Sequence, residues 1–410
     1  MKKNLLNIPS SKEIKLHMIK SLEKYWLDKN YQSNLMNLPV IETKIKLLKL
    51  PLSCTLIDLP DWAKKKGLPD KILVPNEAIF KRNWQNIDWW FASFLLMESC
   101  HEREFEKKNG PIHSYSFYLK NWDKRVWEKA WVNRIAIFLR LWVKEENPNI
   151  VLPTICEPEI RFTHDLDAIS KTLPIRIKQS LRYLYNGQLK KALDFFLKRE
   201  DWFIPNKLIE LENHLIPKPI INIHAKDKFR GPLKWLLDPS YNISDKKLKN
   251  ILKKLISHGW KIGLHPSFFS WKSSKKIKIE KLRIEKEYGI RVCSMRQHWL
   301  RFSWEKTWHS QALAGIKYDS TLMFNDIPGF RNSAVIDFKS FYSPRGPLIR
   351  STVFMDSHKN NSLGEIIDEI KLVKGNADLL WHTHTLNKDY GFFKSLKFAI
   401  NRINKINILS

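Results

Sequence analysis

Between residues 155 and 385, short apolar stretches rich in β-branched residues alternate with helical segments. This alternation limits what the chain can fold into more than any other feature. Extended stretches are read at 159–164, 219–225 ("PIINIHA"), 260–265 ("WKIGLH"), 290–298 ("IRVCSMRQH"), 316–321 ("IKYDST"), 349–356 ("IRSTVFMD") and 377–382 ("DLLWH" at its end). A long helical excursion covers 175–215. A helix over 244–258 takes Ser244 as its cap, buries Leu248, Ile251, Leu252 and Leu255 on one face and stops at Gly259. A charged helix at about 274–288 ends at Gly289. Ser303 caps another running to Ala314, and a third, around 363–374, ends at Gly375. Strands joined through helices run parallel. About seven such strands, with neither a G-x-G-x-x-G nor a P-loop, predict an α/β fold: a (β/α) barrel over 155–410 rather than a dinucleotide-binding sheet.

Residues 1–150 have a different texture. Over 125–143, Val126, Trp127, Ala130, Trp131, Ile135, Phe138, Leu139 and Trp142 recur at three-and-four spacing. A stripe of this kind is a helix packing face. Pro148 and Pro153 then break the pattern, so 1–150 is expected to form a mainly helical or mixed accessory domain.

Charge and cysteine usage bound the class. The chain carries 71 Lys+Arg against 42 Asp+Glu, a net charge of +29. The excess is dispersed lysine, which suits solvated helix faces. It also suits attraction to a polyanion, to an anionic membrane surface or to a lipid-linked glycan. No zinc-finger spacing, aromatic sheet signature or heptad-linked basic region points to a nucleic-acid partner. Cys54, Cys100, Cys156 and Cys293 form no C-x-x-C pair, which argues for a reducing compartment. The basic N-terminus lacks a following apolar core, and "WWFASFLLM" (89–97) is too short to cross a bilayer. The expected location is cytoplasmic.

The chemistry gathers at the strand ends. Asp165 and Asp167 end the first, His224 the second and His265 the third. Arg296 and His298 end the fourth, Asp319 the fifth, Asp356 the sixth and His382 the last. In a (β/α) barrel these ends converge on one mouth. In "RFTHDLDAI" (161–169), Asp165 and Asp167 leave an extended strand on the same face. Two histidines and an aspartate with an open position make a divalent-metal site. A second carboxylate then serves as base and a further histidine as proton donor. Each residue also has a purely structural reading: a capped turn, a histidine bonded to a carbonyl, an arginine paired for stability.

In order along the chain, "FTHDLD" (162–167), "GWKIGLHPSF" (259–268), "GIRVCSMRQHWLRF" (289–302), "AGIKYDSTLMFNDIPGFR" (314–331) and "LLWHTHTL" (379–386) resemble a divergent branch of the polysaccharide deacetylase family. This is carbohydrate esterase family four and its relatives. "IDWWFASFLLME" (87–98) is similar to the segment preceding that branch's catalytic domain. The resemblance implies a distorted (β/α) barrel that removes acetyl groups from N-acetylated sugars with a divalent metal, zinc by its donor set. It implies Asp165 as base and Asp167 as metal ligand, although the family's adjacent pair is here separated by Leu166. His265 matches the first metal histidine, and Phe269 stands where the second belongs. His298 is the expected replacement, with His224 as its substitute. Arg296 would orient the base and His382 act as general acid, ahead of His384. His224, Arg301, Asp319, Arg331 and Asp356 complete the set as substrate-binding or supporting residues.

Overall fold

The computed structural model describes residues 6–26, 29–38, 48–171, 173–197, 205–225, 237–239, 241–358, 360–387 and 390–404. The chain opens with helix Ser11–Ser21, where Ser10 and Glu13 form a reciprocal capping box. A two-stranded antiparallel sheet follows, β1 (Cys54–Asp58) with β2 (Lys71–Pro75). Helix Trp89–Met97 is buried along its whole length, which explains its uninterrupted apolar run, and Asp88 caps it by accepting from the Phe91 N–H. The tryptophan stripe falls on a 3-10 turn, Lys124–Trp127, and on helix Trp131–Glu146. All eight stripe residues are buried.

Eight parallel strands form the second sheet: β3 (Glu159–Leu166), β4 (Ile220–Ile223), β5 (Lys261–Leu264), β6 (Ser294–Met295), β7 (Tyr318–Asp319), β8 (Leu348–Ile349), β9 (Thr352–Met355) and β10 (Asn376–His382). Their order across the sheet is β8-β7-β6-β5-β4-β3-β10-β9. The stretch "IRSTVFMD" read as one strand is therefore two. β8 is one edge and β9 the other, with only Arg350 and Ser351 between them. A link this short cannot span a flat sheet of eight strands, so the sheet must curl until its edges meet. This is the distorted barrel.

The helices that cover it follow their sequence signals closely. Lys246–Ser257 buries Leu248, Leu252 and Leu255, each contributing about 1.5–3 kcal/mol of burial. Its cap is Asp245, whose carboxylate accepts from the Leu248 N–H, rather than Ser244, whose hydroxyl donates to Glu287. Ser274–Tyr288 ends at Gly289 in the left-handed region. Helix Thr307–Leu313 starts later than its expected cap at Ser303. The excursion after β3 holds helices Leu173–Tyr185, Leu189–Leu197 and Pro205–Glu212.

One hydrophobic core runs through residues on both sides of position 150. Trp26, Trp90 and Phe138 share it with Trp304, Trp308, Phe338 and Ile349. Buried carboxylates reinforce the seam. Arg134 makes a fork to Glu369 at 2.8 and 2.6 Å, and Glu106 accepts from the Ser303 hydroxyl and the Trp304 N–H. All four cysteines are free. Among the described residues, no helix is long and apolar enough to cross a membrane.

Candidate metal centre at the barrel mouth

Strand parity builds the site. On β3 the odd positions face the barrel interior: Thr163 and Asp165 both meet Arg296, and Asp167 continues the same face past the strand end. The even positions face the helices. His164 bonds the Glu212 carboxylate at 3.0 Å and stacks on Trp260, and Leu166 is in the core. The Leu166 spacer is thus what keeps both aspartates on one side.

Asp167 lies among three imidazoles. His265 Nε2 is 3.3 Å from its Oδ1, His298 Nε2 is 3.9 Å from Oδ1, and His382 Nε2 is 3.8 Å from Oδ2. Each ring is turned inward by a partner on its other nitrogen. His265 Nδ1 donates to the Arg296 carbonyl at 2.8 Å, His298 Nδ1 faces the Asp238 carboxylate at 3.3 Å, and His382 Nδ1 faces Asp356 at 2.9 Å. Fixing Nδ1 in this way leaves Nε2 as the free ligand atom, the arrangement of metal-binding histidines. Ligand atoms of Asp167, His265 and His298 lie within 4.8 Å of one another. Asp167 Oδ1 is buried without a well-formed hydrogen bond, an orphan that a cation would satisfy. One carboxylate, two imidazoles and an open side fit a divalent ion.

Asp165 is held differently. Its Oδ1 accepts from Arg296 at 3.1 Å and from Asn222 Nδ2 at 2.8 Å. Arg296 is fully buried and spans the barrel interior, donating also to the Ser320 carbonyl and to the hydroxyls of Thr163 and Thr352. Gly263 makes room for this. A Cβ there would fall 2.1 Å from Asn222 Oδ1.

Burial works to raise the pKa of Asp165, but the Arg296 guanidinium, with His265 and His382, holds it below the ordinary range. Burial likewise opposes the charge of Asp167, and the imidazoles hold it well below. His382 is pulled the other way. Burial lowers its pKa, yet Asp356, Asp167 and Asp165 raise it to about 10. The Asp356 carboxylate that does this accepts also from the His382 N–H and from the Thr385 hydroxyl. The pKa of His298 is lowered, chiefly by burial.

Of the residues expected at the site, Asp165, Asp167, His265, Arg296, His298, Asp356 and His382 come together. His224 lies beside them, its ring 6.3 Å from that of His298. Its Nδ1 donates to the His265 carbonyl, and burial pushes its pKa down to about 4. Arg301 stacks over Phe268 at 4.2 Å and over Trp271. Phe269 is partly exposed on the loop after β5. His384 packs on His382 and Tyr390.

Two expected residues are elsewhere. Asp319 faces the helix layer, where Trp308, Gln311 and Thr321 use its oxygens. Arg331 is spent on Glu102, Ser114 and the carbonyls of His113 and Met323. Two contributors were missed. Asn222 had a signal, its two-residue spacing on β4 from His224 just past the strand end. Asp238, just before Pro239, had none.

No family model and no curated protein matches the chain. Solved structures do match. One, described as a candidate polysaccharide deacetylase from Mycobacterium smegmatis, is 13% identical, with 62% of this chain and 86% of that one covered and a TM-score of 0.35. The polysaccharide deacetylase from Bacillus cereus is 10% identical, covering 60% and 89%, with a TM-score of 0.28. A CE4 family pseudoenzyme from Bacillus anthracis is 13% identical, covering 59% and 61%, with a TM-score of 0.24. Likenesses this distant carry nothing about chemistry, which rests on the side chains above.

Proposed function

We propose that this protein is a metal-dependent hydrolase of non-peptide C–N bonds that removes acetyl groups from N-acetylated sugars of a glycan or glycan precursor. The observation that carries the reading is the convergence of the His265, His298 and His382 Nε2 atoms on the Asp167 carboxylate, whose Oδ1 has no well-formed hydrogen bond, beside a second carboxylate in a separate cradle. Asp167, His265 and His298 would hold a divalent ion, zinc by the mixed nitrogen and oxygen donors. Such an ion polarises an acyl oxygen and acidifies water.

The chain's own residues supply the proton steps. Asp165, ionised and fixed by Arg296 and Asn222, takes a proton from the attacking water as its oxygen bonds to the acyl carbon. His382, kept protonated by Asp356, gives its proton to the departing sugar nitrogen as the C–N bond breaks. Acetate and the free amine result.

A metal-free hydrolase of the same fold is the second reading. It is favoured by the Asp167–His265 contact, which balances charge without an ion: burial lowers the His265 pKa, but Asp165 and Asp167 raise it overall. Elemental analysis after dialysis against zinc separates the two. About one ion per chain, lost in Asp167→Ala and His265→Ala together with acetate release, is expected. Full activity after chelation, with no bound metal, overturns the metal-dependent reading.

A further inference from the structure

The barrel mouth is flanked by a helical hairpin whose apolar residues point the wrong way for a soluble surface. On helix Leu173–Tyr185, Leu173, Ile177, Leu181 and Leu184 fall at four, four and three spacing, one face, and all are exposed. On helix Leu189–Leu197, Leu189, Leu193 and Leu197 repeat the pattern, with Leu181 60% and Leu193 56% exposed. The hairpin is secured from its other side, where Phe195 packs with Ala168, Ile175, Tyr183 and Tyr390 in a small cluster apart from the main cores. An apolar area of this kind, gathered on one element, marks an interaction surface.

We infer that this hairpin docks the protein on an anionic lipid bilayer, with the barrel mouth beside the membrane surface. Lys178, Arg182, Lys190 and Lys191 stand exposed among the apolar stripes against one acid, Asp194. Leucine stripes flanked by cations are what a helix lying in a bilayer interface presents. The same cations would oppose each other if two copies met face to face, and the whole chain is strongly basic. The hairpin begins just after Asp167, and Lys178 Nζ lies 5.9 Å over the ring of Trp299, the residue after His298. Docking therefore sets the mouth within reach of a headgroup-linked substrate.

The test is sedimentation of the full chain with phosphatidylglycerol or phosphatidylcholine vesicles, at low and high salt. Binding to phosphatidylglycerol, weakened by salt and about tenfold or more weaker in Leu181→Asp/Leu193→Asp and in Lys190→Glu/Lys191→Glu, is expected. Asp165→Asn should bind as wild type does, so the result stands apart from the hydrolase reading. Circular dichroism checks folding, and the lysine pair serves if the leucine pair fails to fold. No binding at low salt, equal binding to both lipids, or binding that survives the hairpin changes overturns the inference. So does a concentration-dependent dimer in light scattering that Leu181→Asp/Leu193→Asp abolishes, which would assign the face to a second copy.

Discussion

Arg331 and Asp167 are both charges drawn out of water, and their surroundings differ in kind. Arg331, at the seam between the first 150 residues and the barrel, is 1% exposed, and its guanidinium is closed on all sides by Glu102, Ser114 and two carbonyls. Arg103 is closed in the same way by Glu98, Ser340 and the Trp304 carbonyl. At the mouth, the outward nitrogens of His265, His298 and His382 are satisfied, while the inward ones of His265 and His298 face an Asp167 oxygen with no well-formed hydrogen bond. The charge at the seam is closed by hydrogen bonds, and the charge at the mouth is left open on one side. This contrast, more than the number of polar residues, separates site from scaffold.

The sharpest break of the comparison is Asp165→Asn. Acetate release from an N-acetylated oligosaccharide should fall about 1,000-fold while the chain stays folded by circular dichroism. Unchanged turnover removes Asp165 from the reaction. Arg331→Ala should do the reverse, costing about 3–5 kcal/mol in denaturant unfolding because Glu102 is left buried and unpaired. The folded fraction should keep its metal affinity. If metal affinity falls with stability, seam and mouth are one unit.

Asp356→Asn is intermediate. The proton on His382 is present below its pKa and lost as pH rises through it, and Asp356 is the main cause of its elevation to about 10. Without that carboxylate the pKa drops toward the ordinary histidine range. The basic limb of the pH–rate profile should then move to lower pH, with about tenfold less activity at pH 8.

An effect on stability alone is expected at Glu280, a carboxylate that burial pushes up to about 7 while it holds Ser267 on the loop after His265. Its folded pKa exceeds the ordinary 4.5, so its contribution to stability is full below pH 4.5 and lost as pH rises through 7. Glu280→Gln lacks this loss. Relative to wild type it should gain about 2 kcal/mol between pH 4.5 and pH 7.5, read from urea midpoints.

Much of the barrel was legible because its strands and helices obey local rules. Parity fixed the inner face of β3, and Gly289 fixed the end of helix Ser274–Tyr288. What the rules missed was nonlocal. "IRSTVFMD" satisfies the pattern of one strand, and only the strand order, which sends β8 to one edge of the sheet and β9 to the other, divides it at Arg350 and Ser351. Asp319 looked like a mouth residue because it ends a strand, but β7 turns that position toward Trp308. Arg331 resembled a site residue by its place in a motif, yet its partner Glu102 lies 229 residues away in sequence. Asp238 carries no periodic or motif signal and is found only through the ring it faces.

The strand order also sets a sequence of assembly. Asp167, His265 and His298 follow β3, β5 and β6, which together with β4 form an unbroken run of paired strands that can assemble as soon as the chain through residue 300 exists. β3 gains its other neighbour only from β10, with Thr163 bonding Leu379 across 216 residues. Closing so long a loop is entropically slow. A growing chain therefore brings Asp167, His265 and His298 together well before β9 and β10 bring Asp356 and His382, so the proposed proton donor is the last part installed. Until then one side of β3 is an unpaired edge, the place where a stalled or truncated chain would aggregate.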